Sequence, residues 1–372
     1  MAYLIFVLGL VASVPLKFVK QSELGKNIKM HDCDTVLDDS SGYLAATFYV
    51  GTPEVAVDMF LSLNNSAFSI PFDEKEGSSR YSMSTSSTLT NVKEGTLSNL
   101  KGFTGKDVVS FNDLTVKDQE IFITNYTDNY GVIGLDLDTD VVKKTFVHRL
   151  YSTSVISDAV FSVNLRDMEF KVGDYNAGNY EDNDFHSLSA KDGWTFKLSE
   201  VDFYGNLGGL SSSVKFDFTQ ELIWCDSSQL YLFESYIELF YGYKKKNGRY
   251  YASCNEEDID DFLRLDFVIQ NENIYIYPRS YINYSKGTCE FLISSESSDT
   301  WILGKPLFKE YLAFFDVDRE DVYLYRFNDT SFFSSYTFYI LLACSIITTA
   351  AVIATKYIKG RRNNNYGYMR IS

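Results

Sequence analysis

The side chains of this chain that could do chemistry lie where two apolar strands each end in a polar turn, at Ser62 and at Asp217. A carboxyl group such as that of Asp217 can give or accept a proton in general acid–base catalysis. The hydroxyl of Ser62 cannot act as a base, and it becomes a nucleophile only beside a base such as histidine. The histidines are scattered, without metal-ligand spacing: His31, His148 and His186. The sequence therefore predicts no metal and no other cofactor.

The charge of the chain indicates which kind of molecule is an improbable binding partner. The chain of 372 residues has a formal net charge of −16, with 34 Lys and Arg against 50 Asp and Glu. Nucleic-acid binding depends on clustered basic residues, so this balance argues against a nucleic-acid partner. The basic run Lys244–Lys246 is interpreted as a solvated loop.

The elements that must position the two turns are predicted from the pattern between residues 43 and 327. Short apolar runs broken by Asn, Asp, Ser and Gly indicate many strands and hairpins. The two turns play parallel roles, which favours an N-terminal lobe at 41–187 and a C-terminal lobe at 188–328. Helices are predicted at two places: Val141–Tyr151 and Ser227–Tyr243. The expected fold class is therefore mostly β and bilobal.

Two apolar segments outside this body predict a secreted protein with a membrane anchor. Residues 1–14 have the pattern of a signal peptide, with a buried N-terminal strand or helix as the alternative, and a short pro or N-terminal segment follows at 15–40. Residues 332–355 carry no charged side chain over 24 positions and are predicted to form a transmembrane helix. Basic residues follow in a cytoplasmic tail at 356–372. The sequence thus predicts a single-pass type I membrane protein of the secretory pathway or cell surface.

This topology places the body in an oxidising compartment, where cysteines can pair. Cys254 and Cys289 are the best candidates, whereas Cys33 and Cys225 form either a second bridge or two free thiols. Glycosylation sequences agree with a secretory route. The predicted glycosylation sites are Asn125, Asn283 and Asn328, and a fourth such sequence begins at Asn64.

Five segments between residues 43 and 327 resemble, in order, the motifs of the pepsin-like aspartic peptidases. The first runs from a strand and a Gly-Thr-Pro turn through Ser62 to a proline at residue 71. The last is a Trp-Ile-Leu-Gly motif, which is the most specific match. The five segments are Tyr49–Pro53 with its continuation to Pro71, Tyr130–Leu135, Phe161–Leu165, Val214–Thr219 and Trp301–Gly304.

The resemblance implies a bilobal β fold with a substrate cleft between the lobes and one catalytic aspartate from each. Asp217 stands at the second-lobe position, and Ser62 stands at the first-lobe position in place of the aspartate. The resemblance also implies that Cys254 and Cys289 form a disulfide in the second lobe. Peptide hydrolysis in this family needs two carboxyl groups that share one proton, one to activate water and one to polarise the scissile carbonyl. Serine can take neither role.

Other positions depart from the family pattern as well. The loop Ser62–Asn64 reads Ser-Leu-Asn in place of Asp-Thr-Gly, and Asp217–Thr219 keeps only its aspartate. Asparagine can adopt left-handed conformations, so the first turn is expected to survive the loss of glycine. No tyrosine stands at the flap position before Gly102, and segment 15–40 is shorter than a full inhibitory propeptide. Asp58 lies at the beginning of its strand, too distant to replace the missing aspartate.

These substitutions predict a membrane-anchored homologue of the peptidases that is catalytically inactive and binds a peptide or protein ligand in the interlobe cleft. One alternative is an active aspartic endopeptidase with atypical catalytic loops. The other is a surface adhesion glycoprotein, which a glycan on Asn64 would favour because the sugar would obstruct the cleft.

Overall fold

Strands form most of the body in the computed structural model of the protein, so the predicted mostly β fold class is confirmed. Both predicted helical regions contain helices, although α1 begins only at Phe146, where the side chain of Thr145 accepts a hydrogen bond from His148 N at 3.3 Å. The structure describes residues 12–15, 17–20, 42–73, 80–97, 100–124, 130–137, 145–173, 175, 185–202, 212–296 and 300–327.

The strands of the first half are β1 (Ala12–Pro15), β2 (Lys17–Lys20), β3 (Gly42–Val50), β4 (Val55–Ser62), β5 (Phe68–Pro71), β6 (Thr90–Leu97), β7 (Leu100–Phe111), β8 (Leu114–Thr124), β9 (Tyr130–Gly134), β10 (Val160–Asn164), β11 (Glu169–Val172) and β12 (Phe185–Ser189). Those of the second half are β13 (Thr195–Asp202), β14 (Ser212–Phe216), β15 (Ile223–Asp226), β16 (Lys244–Lys246), β17 (Arg249–Ser253), β18 (Leu265–Ile269), β19 (Glu272–Ile276), β20 (Ile282–Ser285), β21 (Thr288–Phe291), β22 (Ile293–Glu296), β23 (Thr300–Leu303), β24 (Tyr311–Asp316) and β25 (Asp321–Arg326). The helices are α1 (Phe146–Ser152), α2 (Ser227–Phe240), α3 (Pro278–Tyr281), α4 (Lys305–Glu310) and a 3₁₀ helix at Glu256–Asp261.

Two large sheets repeat the same arrangement of strands. The eight-stranded sheet has the order β2-β3-β4-β9-β5-β8-β7-β6, and the seven-stranded sheet has the order β19-β18-β13-β14-β23-β15-β22. In the first sheet β4 runs parallel to β9, β9 antiparallel to β5, and β5 parallel to β8. In the second, β14, β23, β15 and β22 follow the same directions. The parallel roles of Ser62 and Asp217 therefore have a topological basis, because Ser62 ends β4 and Asp217 follows β14.

A six-stranded sheet combines strands from both halves of the chain, in the order β1-β11-β10-β24-β25-β12. Its first strand, β1, pairs Ala12 with Val172 and so uses residues at the end of the segment predicted to be a signal peptide. The residues described up to Arg326 belong to one compact unit. The lobe boundaries given by the sequence remain predictions.

Aromatic side chains connect the six-stranded sheet to the two large sheets. Phe161 of β10 and Phe315 of β24 stack with ring centroids 4.7 Å apart, and the fully buried Trp194 packs edge-on against Phe315 at 5.0 Å. The indole N–H of Trp194 donates to the carbonyl of Leu135, just after β9, at 2.8 Å. One buried cluster thus fixes the ends of strands that come from both large sheets.

A four-stranded sheet, β16-β17-β21-β20, carries the predicted disulfide. Cys254 and Cys289 are bonded, with Cα atoms 5.8 Å apart, which confirms this pair. Cys225 is a free, buried thiol, and burial raises its pKa to about 12. A thiol with so high a pKa is unreactive at neutral pH.

Several predicted features lie outside the described residues: the transmembrane segment 332–355, the tail, Cys33, Asn125 and Asn328. Within the described part of the chain, no helix is long and apolar enough to cross a bilayer. Asn283 is described and lies exposed on β20, where a glycan could be attached.

Candidate active site

The two predicted catalytic loops begin at the ends of β4 and β14, and each is held by the strand that runs parallel beside it. The carbonyl of Ser62 accepts a hydrogen bond from Leu135 N at 2.8 Å, and Asp217 N donates to the carbonyl of Leu303 at 3.1 Å. Gly134 is the last residue of β9, and Gly304 directly follows β23. A Cβ atom at either glycine would overlap the backbone of the adjoining loop, so both positions require glycine.

Both carboxylate oxygens of Asp217 are occupied by hydrogen-bond donors of the protein. Oδ1 accepts from Thr219 N at 2.9 Å and from Thr219 Oγ1 at 2.5 Å. Oδ2 accepts from the side-chain amide Nδ2 of Asn64 at 2.5 Å. The residue is 1% exposed. The carboxylate is thus buried, and donors of the protein take three of its roughly four acceptor positions, one of them on Oδ2.

Ser62 does not meet Asp217 through a hydrogen bond. The Oγ atom of Ser62 accepts a hydrogen bond from the backbone N–H of Asn64 at 3.3 Å, so this serine stabilises its own turn. Sequence reasoning expected positions 62 and 217 to decide the site. The side chain of the first loop that is hydrogen-bonded to Asp217 is instead that of Asn64, two residues farther along.

Sequence reasoning missed the role of Asn64, although a signal was present. The third position of an Asp-Thr-Gly loop lies beside the carboxylates, and glycine leaves that space free. A side chain introduced there must occupy the space, and both Asn64 and Thr219 direct donors to Asp217. Asn64 does not have a positive φ, so the left-handed conformation considered from the sequence is not used.

The middle residue of each loop is part of the apolar core. Leu63 and Phe218 are both fully buried. Phe218 packs edge-on against Phe308 at 5.7 Å and against Phe315 of β24 at 6.3 Å between ring centroids. Apolar packing therefore anchors the backbone of both loops at the position that is threonine in the resembling family.

Two other carboxylates of the first sheet have structural partners. Asp58 lies opposite Thr47 on β3 and accepts a hydrogen bond from its hydroxyl at 2.6 Å, which agrees with its exclusion from the site. Asp107 on β7 is fully buried, a role that the sequence did not suggest. Its carboxylate accepts hydrogen bonds from Tyr81 Oη at 2.6 Å, Ser86 Oγ at 2.7 Å, Thr88 Oγ1 at 2.5 Å and Val108 N at 2.8 Å.

The hairpin β6–β7 occupies the place of the predicted flap. Its two strands pair from Thr90 opposite Lys106 to Leu97 opposite Leu100. Near its turn, Leu97 packs with Ala67 of the first loop region and with Phe122. The described residues of the hairpin therefore contact the first loop region through aliphatic side chains.

The described residues contain no group of three or more His, Cys, Asp or Glu side chains that could hold a metal ion. The chemistry available at the two loops is thus that of one satisfied carboxylate, one carboxamide and two hydroxyl groups. Such a set can form hydrogen bonds, but it lacks the second carboxyl group with which a peptidase of this kind would share a proton.

Comparison with known proteins agrees with the fold and with the order of the motifs. A family model for eukaryotic aspartyl proteases matches residues 58–326, a range that includes both loops and the Trp-Ile-Leu-Gly motif. A search of curated proteins finds no match. The match covers well over half of the 372 residues. The chain belongs to the eukaryotic aspartyl protease family.

Proposed function

We propose that this family member binds peptides or extended protein segments between its lobes and does not hydrolyse them. One observation carries the proposal: the single carboxylate of the two catalytic loops, Asp217, has both oxygens bonded to Asn64 and Thr219. The position of the other catalytic aspartate holds Ser62, whose hydroxyl serves its own turn.

The chemical reason is the requirement for two carboxyl groups. One must accept a proton from water while the other, protonated, donates to the scissile carbonyl. Loss of one general acid or base lowers a rate by about two to four orders of magnitude, and loss of a group from a coupled pair has a larger effect than either role alone. The family match covers both loops, and the remaining groups can form hydrogen bonds, which supports binding as the function.

We further propose that the protein acts at the cell surface or within the secretory pathway, anchored by residues 332–355. The support is the uncharged sequence of that segment and the basic residues directly after it. Alkaline extraction of membranes tests the anchor. The full chain should stay with the membrane, and Ile347→Arg combined with Ala351→Arg should release it. Extraction of the unaltered chain would contradict the anchor.

An acid peptidase assay tests the absence of hydrolysis. The full chain, purified in detergent, is incubated with an unfolded protein substrate from about pH 3 to pH 7, the range in which carboxyl pairs of this kind work. Asp217→Ala and an aspartic-peptidase inhibitor serve as controls. We expect no cleavage above the level of Asp217→Ala. Cleavage that both controls abolish would establish the alternative, an active endopeptidase with atypical loops.

A further inference from the structure

The contact between Asn64 and Asp217 places a carboxamide in the centre of the candidate site. A carboxamide carries the same N–H donor and C=O acceptor as a peptide group. We infer that Asn64 is an internal competitor: its amide occupies the position on Asp217 Oδ2 that an N–H of a bound peptide takes when the side chain of Asn64 moves aside. This inference rests on the proposed peptide-binding function.

The geometry makes Asn64 the movable member of the pair. Asn64 is exposed at a turn, and its side chain makes one hydrogen bond within the described residues, from Nδ2 to Asp217. Asp217 is 1% exposed and is also held through Oδ1 by two donors of Thr219. Rotation of Asn64 into solvent therefore frees Oδ2 and leaves the carboxylate in its place.

The class of ligand follows from the kind of hydrogen-bond donor that Asp217 Oδ2 accepts. A buried carboxylate attracts an N–H donor and disfavours another anion at hydrogen-bond distance. A neutral amide is the group that the site already accommodates, in the side chain of Asn64. The inferred ligand is thus an extended, uncharged peptide segment that presents a backbone N–H to Asp217.

Competition predicts that removal of the Asn64 amide tightens peptide binding. In the unaltered chain a ligand must first break the hydrogen bond between Asn64 and Asp217, and in a variant without the amide it need not. Loss of a hydrogen bond to a charged group corresponds to a change in affinity of about 10- to 100-fold. The variants are Asn64→Ala and Asn64→Gly, the second of which restores the residue type of the family. Asn273→Ala is the matched control, because Asn273 lies exposed on β19, outside both loops.

The probe is a pool of uncharged heptapeptides with acetylated and amidated ends, incubated with the full chain and quantified by mass spectrometry after equilibrium dialysis. We expect both Asn64 variants to bind retained peptides about 10- to 100-fold more tightly than the unaltered chain. Asn273→Ala should bind like the unaltered chain. In an Asp217→Ala background, Asn64→Ala should give no gain.

Three results would overturn the inference, and they differ from one another. If the unaltered chain binds peptides and the Asn64 variants bind no better, Asn64 is not a competitor, and the proposed function stands. If Asn64→Ala gives the same gain in the Asp217→Ala background, the gain comes from space in the cleft and not from Asp217. If no protein retains any peptide, the proposed function fails, and this inference fails with it.

Discussion

The two loops that the fold makes equivalent have changed in different ways. The first, Ser62–Asn64, has lost its carboxyl group and gained an amide, whereas the second, Asp217–Thr219, has kept its carboxyl group and gained a hydroxyl. Both new donors lie at the third position, which is glycine in the family motif, and both are bonded to Asp217. The one acid of the two loops is thus hydrogen-bonded to a side chain from each loop.

The two loops lie at equivalent places in two sheets with the same strand arrangement. Ser62 ends β4 and Asp217 follows β14, and the strands beside them run in the same directions. The glycines behind the loops, Gly134 and Gly304, are retained in both halves. The scaffold is therefore alike on the two sides, and the differences lie in the side chains of the loops themselves.

The largest effect is expected when the first loop is rewritten as Asp-Thr-Gly. The triple change Ser62→Asp, Leu63→Thr, Asn64→Gly supplies the second carboxyl group and removes the amide that occupies Asp217. We expect acid peptidase activity on an unfolded protein substrate at least about two orders of magnitude above the background of the Asp217→Ala variant, which is also the level expected of the unaltered chain. Ser62→Asp alone should gain much less, because Asn64 still occupies Asp217.

The control for this experiment is the triple change combined with Asp217→Ala, which should be inactive. Equal activity of Ser62→Asp and the triple variant would contradict the blocking role of Asn64. The missing carboxyl group at position 62 would then explain the lack of activity without any contribution from Asn64.

The next effect concerns the middle residues, which are buried in both loops. Phe218→Ala should lower the free energy of unfolding by about 3 to 5 kcal/mol and Leu63→Ala by about 2 to 5 kcal/mol, because each leaves a cavity in the core. Denaturant unfolding at neutral pH measures both. A loss below about 0.5 kcal/mol, typical of exposed positions, would show that the loop in question is not anchored by its apolar residue.

A smaller effect is expected for Thr219, which donates to Asp217 through both its backbone and its hydroxyl. Thr219→Ala keeps the backbone bond and loses the hydroxyl bond, so we expect a loss of about 1.5 kcal/mol in unfolding free energy. Thr219→Ser retains the hydroxyl and is the matched control. Equal losses for the two variants would assign the effect to the methyl group and not to the bond with Asp217.

The smallest effect is expected at Ser62. Its Oγ atom accepts one long hydrogen bond, 3.3 Å from Asn64 N, at a half-buried turn. Ser62→Ala should change the unfolding free energy by no more than about 0.5 kcal/mol. A loss above about 1.5 kcal/mol would mean that the serine has a stronger partner than its own turn.

The fold was predictable because its signals are local. The short apolar runs, the Gly-Thr-Pro turn and the motif at Trp301–Gly304 each lie within a short stretch of sequence, and the predicted Cys254–Cys289 bond is confirmed. The helix predicted from residue 141 shows the limit of such patterns, because α1 begins at Phe146 after its capping threonine.

The centre of the site was not predictable in the same way. Asn64 and Asp217 are 153 residues apart in sequence, and only the tertiary fold brings the amide to the carboxylate. Asp107 is a similar case: it lies on β7 and accepts hydrogen bonds from Tyr81, Ser86 and Thr88, which come from another part of the chain. Sequence patterns assign a residue to a strand or turn, but they do not give the direction of its side chain across the fold.

A double-mutant cycle between Asn64 and Asp217 tests the central claim most directly. The free energy of unfolding is measured for the unaltered chain, Asn64→Ala, Asp217→Ala and the double variant. If the amide of Asn64 is bonded to the carboxylate of Asp217 in solution, the coupling energy should be about 1.5 to 3 kcal/mol, as for hydrogen bonds to charged groups. A coupling below about 0.5 kcal/mol, the additivity of independent sites, would show that Asp217 is not held by Asn64 and would contradict the account.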